Sequence, residues 1–177
     1  MKAMIASCVA ASIIVSLWGT AAAEVAVFKR VSGWEAFGGR AEDGSRVCGV
    51  STSGGGRFFS MKYFEGHSHL TIHLSKDTWK VAAGRAIDVS LHFDSRDPWK
   101  ARATSFHLAN GDAALQFSIQ NDNVKQWIKE FRDADVLYIR FPASVVDDWR
   151  ADLSGTPEIA DDMVQCLSVM IRMAPQT

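Results

Sequence analysis

An excess of charge of either sign is missing from this chain. Nineteen Lys and Arg stand against 20 Asp and Glu, a formal net charge of −1 over 177 residues. A chain so balanced lacks the electrostatic footprint that draws nucleic acid or an anionic membrane surface. Cysteine is scarce, with three residues, and no Cys-x-x-Cys motif is present. Neither the Gly-x-Ser-x-Gly elbow nor the His-Glu-x-x-His helix of known hydrolases occurs. Acidic pairs such as Asp147-Asp148 and Asp161-Asp162 are too sparse to supply the closely spaced oxygens of a calcium loop. No internal repeat, low-complexity tract or long linker divides the chain. With 47% hydrophobic residues the composition is that of a globular protein, not a disordered one.

Long apolar runs are also rare, and the one that exists lies at the N-terminus. Lys2 supplies a short basic region, residues 3–17 are apolar with only small Ser and Cys between them, and Ala21-Ala22-Ala23 offers an A-x-A cleavage site before Glu24. Residues 1–23 therefore read as a signal peptide. An uncleaved anchor is the rival reading, but the apolar core is short against the roughly 20 residues of a spanning helix. Ile5-Ala6-Ser7-Cys8 resembles an acylation box, yet four residues before it leave no room for an export signal. Removing the leader takes away Lys2 and no acid, so 18 basic and 20 acidic residues remain, a net charge of −2. Residues 24–177 suit one domain with a sizeable core, exported to the periplasm or secreted.

Cys8 leaves with the leader, which keeps Cys48 and Cys166. An even pair in an oxidising compartment reads first as a disulfide, with a reactive thiol or a thiolate ligand as the alternatives.

Period two dominates from residue 25 to 117. Phe59, Met61 and Tyr63 alternate with Ser60 and Lys62. Leu70, Ile72 and Leu74 alternate with Thr71 and His73, and Ile87, Val89, Leu91 and Phe93 with Asp88, Ser90 and His92. Leu115, Phe117 and Ile119 alternate with Gln116 and Ser118. Each run predicts a strand with one buried and one wet face. Glycine and Asp/Asn clusters punctuate the runs, and Asn110-Gly111-Asp112 is a strong hairpin signal. Period 3.6 occurs twice. Val124, Trp127, Ile128 and Phe131 form one stripe behind an Asn121-Asp122 cap. Ile159, Met163, Cys166, Leu167 and Met170 form another behind Thr156-Pro157. Residues 135–141 return to strand. The expected fold is mainly β: an antiparallel β-sandwich or partly closed barrel with one inserted and one C-terminal helix.

Taken in order, Trp34, Asp43-Gly44, Cys48, Leu70-x-Ile72, Lys76-x2-Trp79, Gly84, Phe93-Asp94, Pro98-Trp99-x-Ala101, Phe131-x2-Ala134, Leu153-x-Gly155 and Cys166 resemble a group of small exported, uncharacterised alphaproteobacterial proteins. A looser likeness extends to the invasion-associated locus B family. The resemblance spans nearly the whole mature chain and implies a periplasmic β-rich domain stapled by a Cys48–Cys166 disulfide. It implies no catalytic residues, and the cysteine placement departs from that of the locus B proteins, so a role in host-cell invasion does not carry over.

Three histidines in seven positions, His67, His69 and His73, are the most pointed chemical feature. Alternate residues of a strand share a face, so all three project the same way. His69 and His73 are about 13 Å apart along an extended strand, too far to grip one ion. His67 and His69 can chelate zinc or copper together only with a third ligand, and His92 is the candidate if its strand pairs alongside. The competing reading is a solvated sheet face. Gly54-Gly55-Gly56 before Arg57 reads as a hairpin turn, because the helix behind a phosphate loop is missing. Among five mature tryptophans, Trp79 follows a turn and Trp99 follows Pro98, which makes them the expected partly exposed aromatics of a binding surface, with plugging of the open sheet ends as the competing reading. The functional expectation is a non-catalytic binding or structural module with no cofactor, recognising a protein or envelope component. A periplasmic zinc- or copper-binding protein is the alternative and an unrecognised hydrolase the third. Neither nucleic acid nor, after cleavage, the membrane is an expected partner.

Overall fold

Two-residue periodicity becomes a sheet of antiparallel strands. The computed structural model describes residues 24–142 and 146–173, the last three by backbone alone, and the expected leader lies outside the described residues. A first meander runs through β1 (Glu24–Val31), β2 (Trp34–Arg40), β3 (Arg46–Gly54), β4 (Arg57–Phe64) and β5 (His69–Lys76). A second comprises β6 (Ala86–Phe93), β7 (Trp99–His107) and β8 (Ala113–Gln120). It docks in reverse, with β8 against β5. Helix α1 (Asn121–Asp133) then crosses to β9 (Val136–Arg140) and β10 (Trp149–Asp152), and α2 (Thr156–Met173) ends the described chain. Among the described residues the ten strands form one sheet, ordered β1-β2-β3-β4-β5-β8-β7-β6-β9-β10, which does not close. Among the described residues this is the one sheet, and its open, curled form with one inserted and one C-terminal helix is the partly closed barrel of the expectation.

The inner faces of β2 to β10 share one hydrophobic cluster with both helices. Trp34, Phe59 and Phe131 meet at its centre, with Trp34 edge-on to the other two rings at 5.7 and 5.0 Å. Aromatic pairs of this kind contribute about 0.5–1.5 kcal/mol each beyond their burial. The α1 stripe buries Trp127, Ile128 and Phe131 as its period requires. Its N-cap is Gln120 with no side-chain cap bond, one residue earlier than the Asn121-Asp122 cap expected. Asn121 Oδ1 is instead 3.2 Å from Tyr63 Oη. The Asn110-Gly111-Asp112 hairpin forms, with Gly111 at φ +87°.

The two edges of the sheet approach each other at one end. Trp34 Nε1 on β2 donates to the Asp152 carbonyl at the end of β10, 3.0 Å away. Gly155, at φ +87°, follows directly, and a Cβ there would lie 2.7 Å from Val31 Cγ1 of β1. Only glycine fits that close approach in that conformation. Thr156, fully buried, places its hydroxyl 2.9 Å from the Phe131 carbonyl and 2.8 Å from that of Leu153, which ties the start of α2 to the end of α1. The Cys48–Cys166 disulfide then fastens α2 to β3.

Candidate binding surfaces

The β4–β5 turn sets the histidines. Gly66 takes φ +81° and the His67 N–H donates to the Phe64 carbonyl, so His67 belongs to the turn and β5 begins at His69. The His67 and His69 rings are 5.3 Å apart, and the Phe64 ring lies 5.4 Å from that of His67. His73 is committed elsewhere. Its Nε2 is 2.8 Å from Gln116 Oε1 on β8 and its ring packs on Phe106 at 5.2 Å. Burial pushes its pKa down, Lys62 adds to that, and the Gln116 contact opposes it.

His92 does not join the other two. Strands β8 and β7 lie between β5 and β6, which puts three strand spacings, about 14 Å, between them. His92 Nε2 instead lies 3.0 Å from Ser90 Oγ on its own strand. Asp94, at φ +51°, spends its carboxylate on the N–H groups of Asp135 and Val136, pinning the end of β6 to the start of β9. Among the described residues, no group of three or more His, Cys, Asp or Glu side chains is placed to hold a metal ion.

Of the two tryptophans expected to be partly exposed, Trp79 is buried and Trp99 is half-buried. Trp79 is 3% exposed, edge-on to Phe141 at 5.4 Å. Its Nε1 has no hydrogen-bond partner among the described residues. Trp99 is half-buried against Trp127, and its Nε1 donates to Glu130 Oε2 at 2.7 Å. Segments remote in sequence pack on both, α1 on Trp99 and the chain after β9 on Trp79.

The apolar surface lies instead on β1 and α2. Val25 and Phe28 are 47% and 51% exposed, Val164 and Val169 47% and 45%. The legible signal was Val27-Phe28, since adjacent apolar residues in a strand must face opposite sides. A register shift between Val27 and Lys29 marks the same spot. Phe28 and Val169 line one cleft of about 570 Å³, beside the Cys48–Cys166 bridge and Met170, with Arg40 and Arg46 also in its wall.

A second groove, about 430 Å³, runs over the outer face of β1 to β4. Val25, Val27, Phe37, Val47, Phe58 and Phe64 form its apolar lining, with Lys62 among them. Phe37 lies across Gly49, where a Cβ would come within 2.5 Å of its ring. Lys62 sits opposite Gly49 on β3 and Thr71 on β5. It is half-buried and makes no ion pair among the described residues, and burial pushes its pKa down. Ser60, the next residue on that face, is fully buried with its Oγ unpartnered among the described residues. Glu35 and Glu42 also line the groove, and Glu35 is held by Arg30 at 2.7 Å.

No protein-family model matches the sequence, and no curated protein matches it. A solved structure does share the fold: invasion associated protein B from Bartonella henselae aligns with a TM-score of 0.50 over 79% of this chain and 97% of that one. The two are 8% identical, so the likeness to the locus B proteins holds for the fold alone. Among the described residues no helix is long and apolar enough to cross a membrane.

Proposed function

We propose that this protein is an exported, non-catalytic binding module of the periplasm or cell exterior, recognising a protein or another envelope component. The observation behind this reading is the apolar cleft between β1 and α2, where Phe28 and Val169 stand about half exposed beside the disulfide. Large exposed apolar side chains that share one cleft mark interaction sites more than chance surface. Export is supported by the leader in residues 1–23 and by a disulfide, which persists in oxidising compartments. Cell fractionation with N-terminal sequencing should find the protein outside the cytosol and beginning at Glu24. A cytosolic protein with its leader intact would refute export. Photo-crosslinkers placed at positions 28 and 169 in the native host should trap an adduct that a crosslinker at exposed Asp88 does not. Identical patterns would remove the cleft from consideration.

Zinc or copper binding is the second reading, favoured by the 5.3 Å separation of the His67 and His69 rings. It requires a third ligand from outside the chain or from solvent. Calorimetry with each ion on wild type and on His67→Ala/His69→Ala tests it, and equal heats in the two proteins dispose of it.

A further inference from the structure

We infer that the outer groove over β1 to β4 is a binding site for a single-chain anionic amphiphile, a long-chain carboxylate whose head group pairs with Lys62 while its chain lies along the apolar lining. Side chains pointing out of a strongly curled sheet normally diverge into water, yet here Phe37 is 8% and Val47 3% exposed, and Ser60 is fully buried. The groove is lined mainly by apolar side chains, and its volume of about 430 Å³ falls in the range of roughly 300–1,000 Å³ usual for small-ligand sites.

The cation selects the ligand. An ammonium taken partly out of water without a counter-charge is costly, so such groups are normally paired. Lys62 has no carboxylate within ion-pairing distance among the described residues, and desolvation depresses its pKa. The facing groups do not supply one. Opposite it are Gly49 and Thr71, and diagonal to it His73 adds positive charge when protonated. Of the two acids lining the groove, Glu35 is already engaged by Arg30, and Glu42 makes no ion pair with Lys62. An anion arriving with its own apolar tail satisfies both features at once: it restores the missing charge and covers Val25, Val27, Phe58 and Phe64. Phe28 and Val169 are not among the groove's lining, so this proposal and the one above can fail independently.

The test is calorimetry on the mature chain with dodecanoate and with dodecanol, both below their aggregation limits. Wild type should bind the acid roughly tenfold or more tightly than the alcohol, the usual scale of a charge-assisted bond in a partly desolvated site. Lys62→Met should abolish that preference while leaving dodecanol affinity within about twofold. Val25→Glu, at an exposed position, should weaken both ligands by roughly tenfold or more, since it puts a charge in the lining. Circular dichroism of each variant verifies the fold. Equal affinity for acid and alcohol in wild type, an undiminished preference in Lys62→Met, or no binding of either probe would overturn the proposal.

Discussion

Breaking the Cys48–Cys166 bridge is the perturbation whose size follows most directly from the structure. The bridge spans 118 positions of sequence. In the chain-entropy picture the cross-link removes about 2.1 + 1.5R ln 118, or about 16 cal/mol/K, from the unfolded ensemble, which is about 4.9 kcal/mol at 25 °C. Against a total stability of about 5–15 kcal/mol this is a large fraction. At about 2–4 °C per kcal/mol for a chain of this size, the melting temperature should fall by about 10–20 °C. The native side should change much less. Ile159, Ala160 and Met163 are fully buried and Met170 nearly so, and burial of side chains such as Ile and Met contributes about 1.5–3 kcal/mol apiece. Helix α2 therefore stays docked without its staple.

Urea unfolding of wild type and of Cys48→Ala/Cys166→Ala, followed by circular dichroism, measures the loss. The midpoint should drop, and the slope should rise, because an uncrosslinked unfolded chain exposes more surface. Hydrogen exchange under native conditions separates the two possible origins of the effect. Protected α2 amides in the variant, together with a loss of several kcal/mol, agree with action through the unfolded state. A loss under about 1 kcal/mol would refute the entropy argument. Free exchange throughout α2 would show that the bridge, not packing, holds the helix in the native state.

His73 predicts a pH dependence. Its folded pKa lies below the ordinary value of 6.5, chiefly through burial, so below that value the unfolded chain takes up the proton more readily than the native one and stability falls as pH falls. Urea midpoints at pH 7.5 and 5.5 should differ less in His73→Gln than in wild type; equal slopes would show that His73 is not the linked group. Trp34→Phe should cost about 1–3 kcal/mol, from the lost bond to the Asp152 carbonyl and the space left in the core, and should speed amide exchange in β10. A cost under about 0.5 kcal/mol would mean that the seam between the sheet edges is held by other contacts.

Much of the fold was legible because it is local. Leu70, Ile72 and Leu74 are fully buried, as their alternation requires, and α1 buries the stripe its period picks out. With Cys8 assigned to the expected leader, Cys48 and Cys166 were the pair whose disulfide the resemblance implied, and the structure joins them. What could not be read locally was strand order. His92 was a plausible third ligand only if β6 lay beside β5, but β6 pairs with β7 and β9. Trp79 looked like a turn residue and is one, since its N–H bonds the Lys76 carbonyl. Its burial depends on Phe141, some sixty positions away, which no local period reports.

Lys62, Ser60 and His73 show the same limit on the other face. Alternation correctly assigns all three to the side opposite Phe59, Met61 and Ile72, and by the usual equation of polar with wet that side is solvated. The register makes it otherwise. Gly49 opposite Lys62 lets Phe37 lie across β3, Phe106 covers His73, and Phe58 and Phe64 flank Ser60 and Lys62 along β4. Two of those rings were visible as the doublets Phe58-Phe59 and Tyr63-Phe64, which place an aromatic on each face of one strand. Period two thus reports which residues share a face. Whether the face is wet depends on cross-strand neighbours, and a cation left half-buried by them is a binding feature that only the paired sheet reveals.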